Sequence, residues 1–171
     1  MYNKLQKNMK SIKLLLVFLF VASISCAQKS PKEHTEGKID EINISIDYGS
    51  PRVKGRTVWG KLVKYDKVWR AGANENTTFS FDKDVTIAGN KLLAGKYGFF
   101  ILPAENGDWT IIFNKKNDAW GHFSYKEKED ILRVKISPEF VNENQEELLY
   151  TVGENTINFA WEKARLSIPI K

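Results

Sequence analysis

The sequence predicts an all-β domain, an antiparallel β-sandwich or flattened barrel of roughly nine or ten strands. Three observations predict it. Apolar and polar residues alternate in short runs, as in Ile42-Asn43-Ile44-Ser45-Ile46-Asp47-Tyr48. Turn residues such as Gly89-Asn90 and Asn106-Gly107-Asp108 separate the runs. No stretch carries the three-to-four spacing of an amphipathic helix.

In chain order, residues 1–27 read as a secretory signal peptide: a lysine-bearing start, an eleven-residue apolar run from Leu14 to Ile24, then small residues at Ser23, Ser25 and Ala27. That run is too short to span a hydrocarbon core of about 30 Å. Met9 would give a more compact leader than Met1. Cys26, the one cysteine, stands at the expected cleavage region, and two readings stay open: lipid modification of Cys26, or ordinary cleavage after Ala27. Under either, the domain is exported, periplasmic or anchored to the outer membrane, and it folds without a disulfide.

Residues 28–38 have no apolar side chain and contain Pro31 and Gly37, so they read as a polar linker, and residues 39–171 as a single domain. Its first strand covers Ile42 to Tyr48. Thr57 to Val63 reads as a short strand or extended connection, followed by an aromatic-flanked turn, Trp69-Arg70-Ala71-Gly72-Ala73-Asn74-Glu75, and a strand from Thr77 to Phe81. Val85 to Leu92 reads as a hairpin. The nearly continuous apolar run Tyr97 to Leu102 suits a central strand, paired through Asn106-Gly107-Asp108 with Trp109 to Asn114. Leu132 to Ile136 alternates again. Asn142 to Glu147 reads as a surface loop, and the chain ends in three strand-like segments beginning at Leu148, Ile157 and Leu166.

Tyr48 with Pro51, Lys54-Gly55-Arg56, Trp69-Arg70-x-Gly72-Ala73-Asn74-Glu75, Ala94-Gly95-Lys96-Tyr97, Trp109-x-Ile111-x-Phe113-Asn114 and Trp120-Gly121 together resemble the bacterial domain-of-unknown-function 2911 family, over about residues 42–170. The resemblance implies an exported or envelope-associated β-rich domain and carries no activity, substrate or catalytic residue. That family usually has Arg before the proline where this chain has Ser50; Arg52 substitutes only if the loop allows it.

Composition narrows the function classes. The leader holds four of the 26 basic residues, which leaves 22 against 21 acidic ones, too even a balance for a nucleic-acid partner. No Gly-x-Ser-x-Gly elbow, phosphate-binding glycine loop or metal-ligand spacing is present, so neither a cofactor nor a metal is expected. The ligand-binding candidates are Arg70, Asn74, Glu75, Lys54, Arg56, Asn114, Trp120 and His122. Arg offers a planar fork to a carboxylate or phosphate, and Glu75 offers an acceptor or a base. The competing structural reading pairs Arg70 with Glu75 across the turn. Trp69, Trp109 and Trp161 fall in strand patterns and read as core, whereas Trp120, then Trp59, should be exposed. The expectation is a non-catalytic domain that binds a small polar molecule, a glycan or an envelope protein, with an envelope hydrolase using Glu75 as acid or base the alternative.

Overall fold

A computed structural model describes residues 29–171; the leader and Cys26 lie outside the described residues. Ten strands form three antiparallel sheets: β1 (Lys32–Ile39), β2 (Ile42–Gly49), β3 (Thr78–Phe81), β4 (Val85–Ile87), β5 (Asn90–Leu92), β6 (Gly95–Leu102), β7 (Trp109–Asn114), β8 (Asp130–Ile136), β9 (Glu139–Val152) and β10 (Thr156–Pro169). The main sheet has the order β1-β2-β3-β6-β7-β8; β9 and β10 form a long ribbon, and β4 and β5 a small hairpin. The result is sandwich-like and not a closed barrel. The described residues contain one 3-10 turn, Glu127–Glu129, and no helix long and apolar enough to cross a membrane.

Alternation builds the core. Ile42, Ile44, Ile46 and Tyr48 of β2, Phe79 and Phe81 of β3, Phe99 and Ile101 of β6, and Trp109, Ile111 and Phe113 of β7 all turn one face toward Leu148, Tyr150, Phe159 and Trp161 of the ribbon. Phe79 stacks on Phe99 at 4.1 Å between ring centres, and Tyr150 meets Tyr48 edge-on at 4.8 Å. The opposite face of β6 and β7 is covered too, where Tyr125 packs on Phe100 at 5.0 Å. That double cover explains the continuous apolar run in β6.

Five expectations need correction. The segment 28–38 is largely not a linker: β1 pairs with β2 along its whole length, Lys32 opposite Gly49 through Ile39 opposite Ile42. An edge strand with an exposed outer face needs few apolar residues, so its polar composition hides it. Asn142 to Glu147 is not a loop but part of β9, which pairs with β10. The last two strand-like segments are one strand; a bulge at Glu162, φ +52°, shifts the inward positions from Ile157, Phe159 and Trp161 to Ala164, Leu166 and Ile168. Trp59 is buried, only 9% exposed, with Trp109 at 4.5 Å and Trp161 at 5.8 Å; Thr57 to Val63 is a turn closed by a bridge between Trp59 and Val63 rather than a strand.

Candidate functional site

The turn from Arg70 to Thr77 is held on both sides. Trp69 exchanges backbone hydrogen bonds with Ile101 of β6, at 2.8 and 2.9 Å. The carbonyl of Ala71 accepts two buried hydroxyls, from Tyr150 at 2.8 Å and Thr77 at 3.1 Å. Ala73 N–H donates to the Gly49 carbonyl, and a Cβ at Gly49 would lie 2.0 Å from the Ala73 oxygen, so only glycine lets the turn press onto β2. Two clefts open from this turn, on opposite sides.

The polar cleft has a volume of about 380 Å3 and lies over the ends of β1, β2, β3 and β6. Its charges neutralise one another. Lys32 pairs with Glu75 at 3.0 Å, Lys96 with Asp47 at 3.2 Å, and Lys116 with Asp118 at 2.6 Å. His34 lies between carboxylates, its Nδ1 2.7 Å from Asp47 and its Nε2 3.0 Å from Glu36, and these contacts, Glu36 first, raise its pKa above the ordinary 6.5. Partial burial pushes the Asp47 carboxyl up, yet hydrogen bonds from His34 and Lys96 outweigh it and hold the group below the usual range. Asn74 donates to the Ser30 carbonyl at 3.1 Å and Asn117 to that of Lys96 at 2.7 Å. Asn76 donates through Nδ2 to Lys116, while its buried Oδ1 has no partner among the described residues. Trp120 forms the outer wall, 60% exposed; the Lys29 ammonium stands 6.0 Å from the ring centre, at the outer limit of a cation–π contact. The Trp120 backbone bridges to Glu75, and Gly98 admits the 115–120 loop, since a Cβ there would lie 2.0 Å from the Lys116 oxygen.

The second cleft, about 530 Å3, holds Arg70 together with Arg56, Lys64, Lys67 and His122, against apolar walls from Leu62, Trp69 and Trp161. Among the described residues no carboxylate lines it. The Arg70 guanidinium is half-buried, its Nε inaccessible and without a partner, and burial alone lowers its pKa. Arg70 and Glu75 therefore do not pair; Glu75 turns to Lys32 instead.

The structure thus divides the sequence-derived candidates. Asn74, Glu75 and Trp120 meet in the polar cleft; Arg70, Arg56 and His122 meet in the other. Arg56 also folds onto its own loop, donating to the carbonyls of Val53, at 2.9 Å, and Arg52. Lys54 is exposed at φ +49°, and its backbone N–H donates to Glu146. Asn114 leaves the site altogether: fully buried, it donates to Asp130 at 2.6 Å and Lys126 at 3.1 Å and accepts from Lys116 N–H, so it organises the 115–130 segment. Arg52 forms an exposed pair with Glu147, and Ser50 is buried with its hydroxyl on the Leu148 carbonyl, which leaves no basic side chain at that position.

Asp47, Lys96, Lys32 and Asn76 were missed. Asp47 and Lys96 are the polar partners of apolar residues in alternating strands, which read as solvated outer faces; the one signal was that both flank the Tyr48 and Tyr97 positions of the recognised strings. Lys64 and Lys67, the unpaired rim of the second cleft, carried no signal beyond their closeness to Trp69. Among the described residues, no group of three or more His, Cys, Asp or Glu side chains converges as a metal site would require.

Comparison with curated proteins and with solved structures gives no match. The strings around Gly72 and Trp120 line the two clefts, and the model of one family, described as a protein of unknown function (DUF2911), matches residues 30–170: the chain belongs to that family.

Proposed function

We propose that this protein is an exported, non-catalytic binding domain that takes a neutral saccharide in the polar cleft. The observation that carries the reading is Trp120, an exposed ring set on the wall of a cleft otherwise lined by planar amides and self-neutralised charges. A ring of this kind offers an apolar face to a sugar, and the amides and carboxylates offer donors and acceptors at fixed positions. Lys32, Lys96 and Lys116 are already paired, which leaves Lys29, over the Trp120 ring, as the lysine of this cleft without a carboxylate partner among the described residues, little charge with which to select an ion. Export rests on the leader, with Cys26 the residue for a lipid anchor if one is attached.

The hydrolase alternative needs a carboxyl that carries a proton and a second that does not. Glu75 is exposed and paired with Lys32, and Asp47 is held ionised by His34 and Lys96, so neither is built as the donor. Titration calorimetry against neutral oligosaccharides tests the proposal. Saturable binding is expected, weakened about fivefold to tenfold by Trp120→Ala, as for loss of about 1 kcal/mol of ring contact. Binding to no member of the panel, or equal binding by the variant, would remove the reading. Product release that Glu75→Gln abolishes would replace it with the hydrolase.

A further inference from the structure

We propose that the second cleft is an oxyanion site, taking a carboxylate or phosphate group attached to an apolar, ring-bearing small molecule, with Arg70 as its principal ligand. This inference stands apart from the saccharide reading and uses other residues.

The described residues contain five arginines, and four have partners. Arg52 pairs with Glu147 and Arg133 with Asp130; Arg56 donates to the carbonyls of Val53 and Arg52, and Arg165 to those of Glu162, Ala164 and Glu143. Arg70 alone among them has no side-chain partner, although it is more deeply placed than a solvated surface arginine and its Nε is fully covered. A desolvated cation without a counter-charge is costly to keep, and an anion entering the cleft would relieve that cost.

A second observation comes from the opposite wall. Trp161, 1% exposed, lines the same cleft, and its indole Nε1–H has no acceptor. The nitrogen itself is covered, so Trp161 serves the cleft through its ring, and its Nε1–H reports on any change in packing there. Lys64 and Lys67 stand at the rim, and neither forms an ion pair among the described residues. The charge of the cleft is therefore positive without internal compensation.

Arg70 is also held in place before any ligand arrives. Trp69 on one side is tied to Ile101 by two backbone hydrogen bonds, and the Ala71 carbonyl on the other accepts the Tyr150 and Thr77 hydroxyls. Gly121, φ +72°, carries the neighbouring loop past the guanidinium, with a Cβ there placed 3.6 Å from Nη1. A side chain carried on a fixed backbone loses less freedom on binding than one on a mobile loop. The Leu62, Trp69 and Trp161 walls supply the apolar surface that a bare phosphate or acetate leaves unused.

The test follows the Arg70 Nε–Hε and Trp161 Nε1–Hε1 resonances of the full chain by 15N NMR during titration with benzoate, phenyl phosphate, acetate, inorganic phosphate and neutral benzyl alcohol. Both resonances are expected to shift with the ring-bearing anions, more weakly with the small anions, and not with benzyl alcohol. Preference for benzoate over phenyl phosphate, or the reverse, identifies the group carried by the ligand. Arg70→Ala should weaken binding about tenfold or more. Should that variant fail to fold, Lys67→Glu, on the exposed rim, places a carboxylate beside Arg70 and should weaken binding in the same sense. Absence of any shift, shifts with benzyl alcohol equal to those with benzoate, or unchanged affinity in the variants would overturn the proposal.

Discussion

The two clefts share one turn and treat charge in opposite ways. On the β1 side Lys32 meets Glu75 and Lys96 meets Asp47. On the Trp161 side Arg70, Lys64 and Lys67 meet no carboxylate among the described residues. Within six positions, then, the chain presents Glu75 to a neutralised surface and Arg70 to an uncompensated one. Neighbours in sequence need not share a site, because the left-handed residues Ala71, φ +52°, and Asn74, φ +63°, twist the turn and send the two side chains apart.

The largest effect should come from the wall common to both clefts. Gly49→Ala drives a methyl group into the Ala73 carbonyl, and overpacking against backbone costs about 1–3 kcal/mol or more, since the backbone cannot rotate away. Urea unfolding should show a lower midpoint, and both clefts should lose their ligands together. If only one were lost, the turn would not be their shared support.

Next in size is Asn114→Ala, which separates scaffold from site. It leaves the Lys126 carbonyl, the Lys116 N–H and Asp130 short of a partner, about 1–3 kcal/mol of stability, and loosens the segment that carries Gly121 and His122, so anion binding at Arg70 should weaken less than in Arg70→Ala. Thermal unfolding with a benzoate titration checks both halves.

Tyr150→Phe removes one of the two hydroxyls on the Ala71 carbonyl. The Tyr150 hydroxyl is buried, and burial raises its pKa well above the ordinary value, so it remains a donor throughout the working pH range. A loss of about 1 kcal/mol in stability is expected, with anion binding weakened and saccharide binding retained. Equal weakening of both would show that the hydroxyl supports the whole turn rather than Arg70.

The charge difference can be inverted directly. Asp47→Asn with Glu75→Gln leaves Lys32 and Lys96 unpaired, so the polar cleft should begin to bind benzoate even in an Arg70→Ala background; if it does not, unpaired cations are insufficient to make an anion site here.

The smallest effect is pH-dependent. The His34 pKa is raised in the folded chain, so its contribution is complete below the ordinary value of 6.5 and fades as pH rises through the folded value above it. Amide hydrogen exchange in β1 should therefore quicken relative to the core above that range, and His34→Ala should remove the difference. Because the ring is half exposed, the change is confined to the edge strand.

Much of the fold was legible because alternation of period two is local. Ile42, Ile44 and Ile46 point inward whatever they pack against, and Asn106-Gly107-Asp108 turns the chain before any sheet exists. Legibility ended where composition and structure part company. β1 is polar because one face is solvent, and β10 looked like two strands because one bulge moved its inward residues by a position. Among site residues, Trp120 was readable as exposed, while Trp59 was not readable as buried, since its place among Trp109 and Trp161 depends on segments far along the chain.

The sequence by itself determined an all-β domain of one family and a turn around Gly72 crowded with reactive groups. Only the tertiary structure decided that the turn serves two clefts, that Asn114 belongs to the scaffold, and that Arg70 lacks a counter-charge. The physical reason is that charge compensation is a property of space: Asp47 reaches Lys96 across 49 positions and Glu75 reaches Lys32 across 43, whereas Arg70, five positions from Glu75, never meets it.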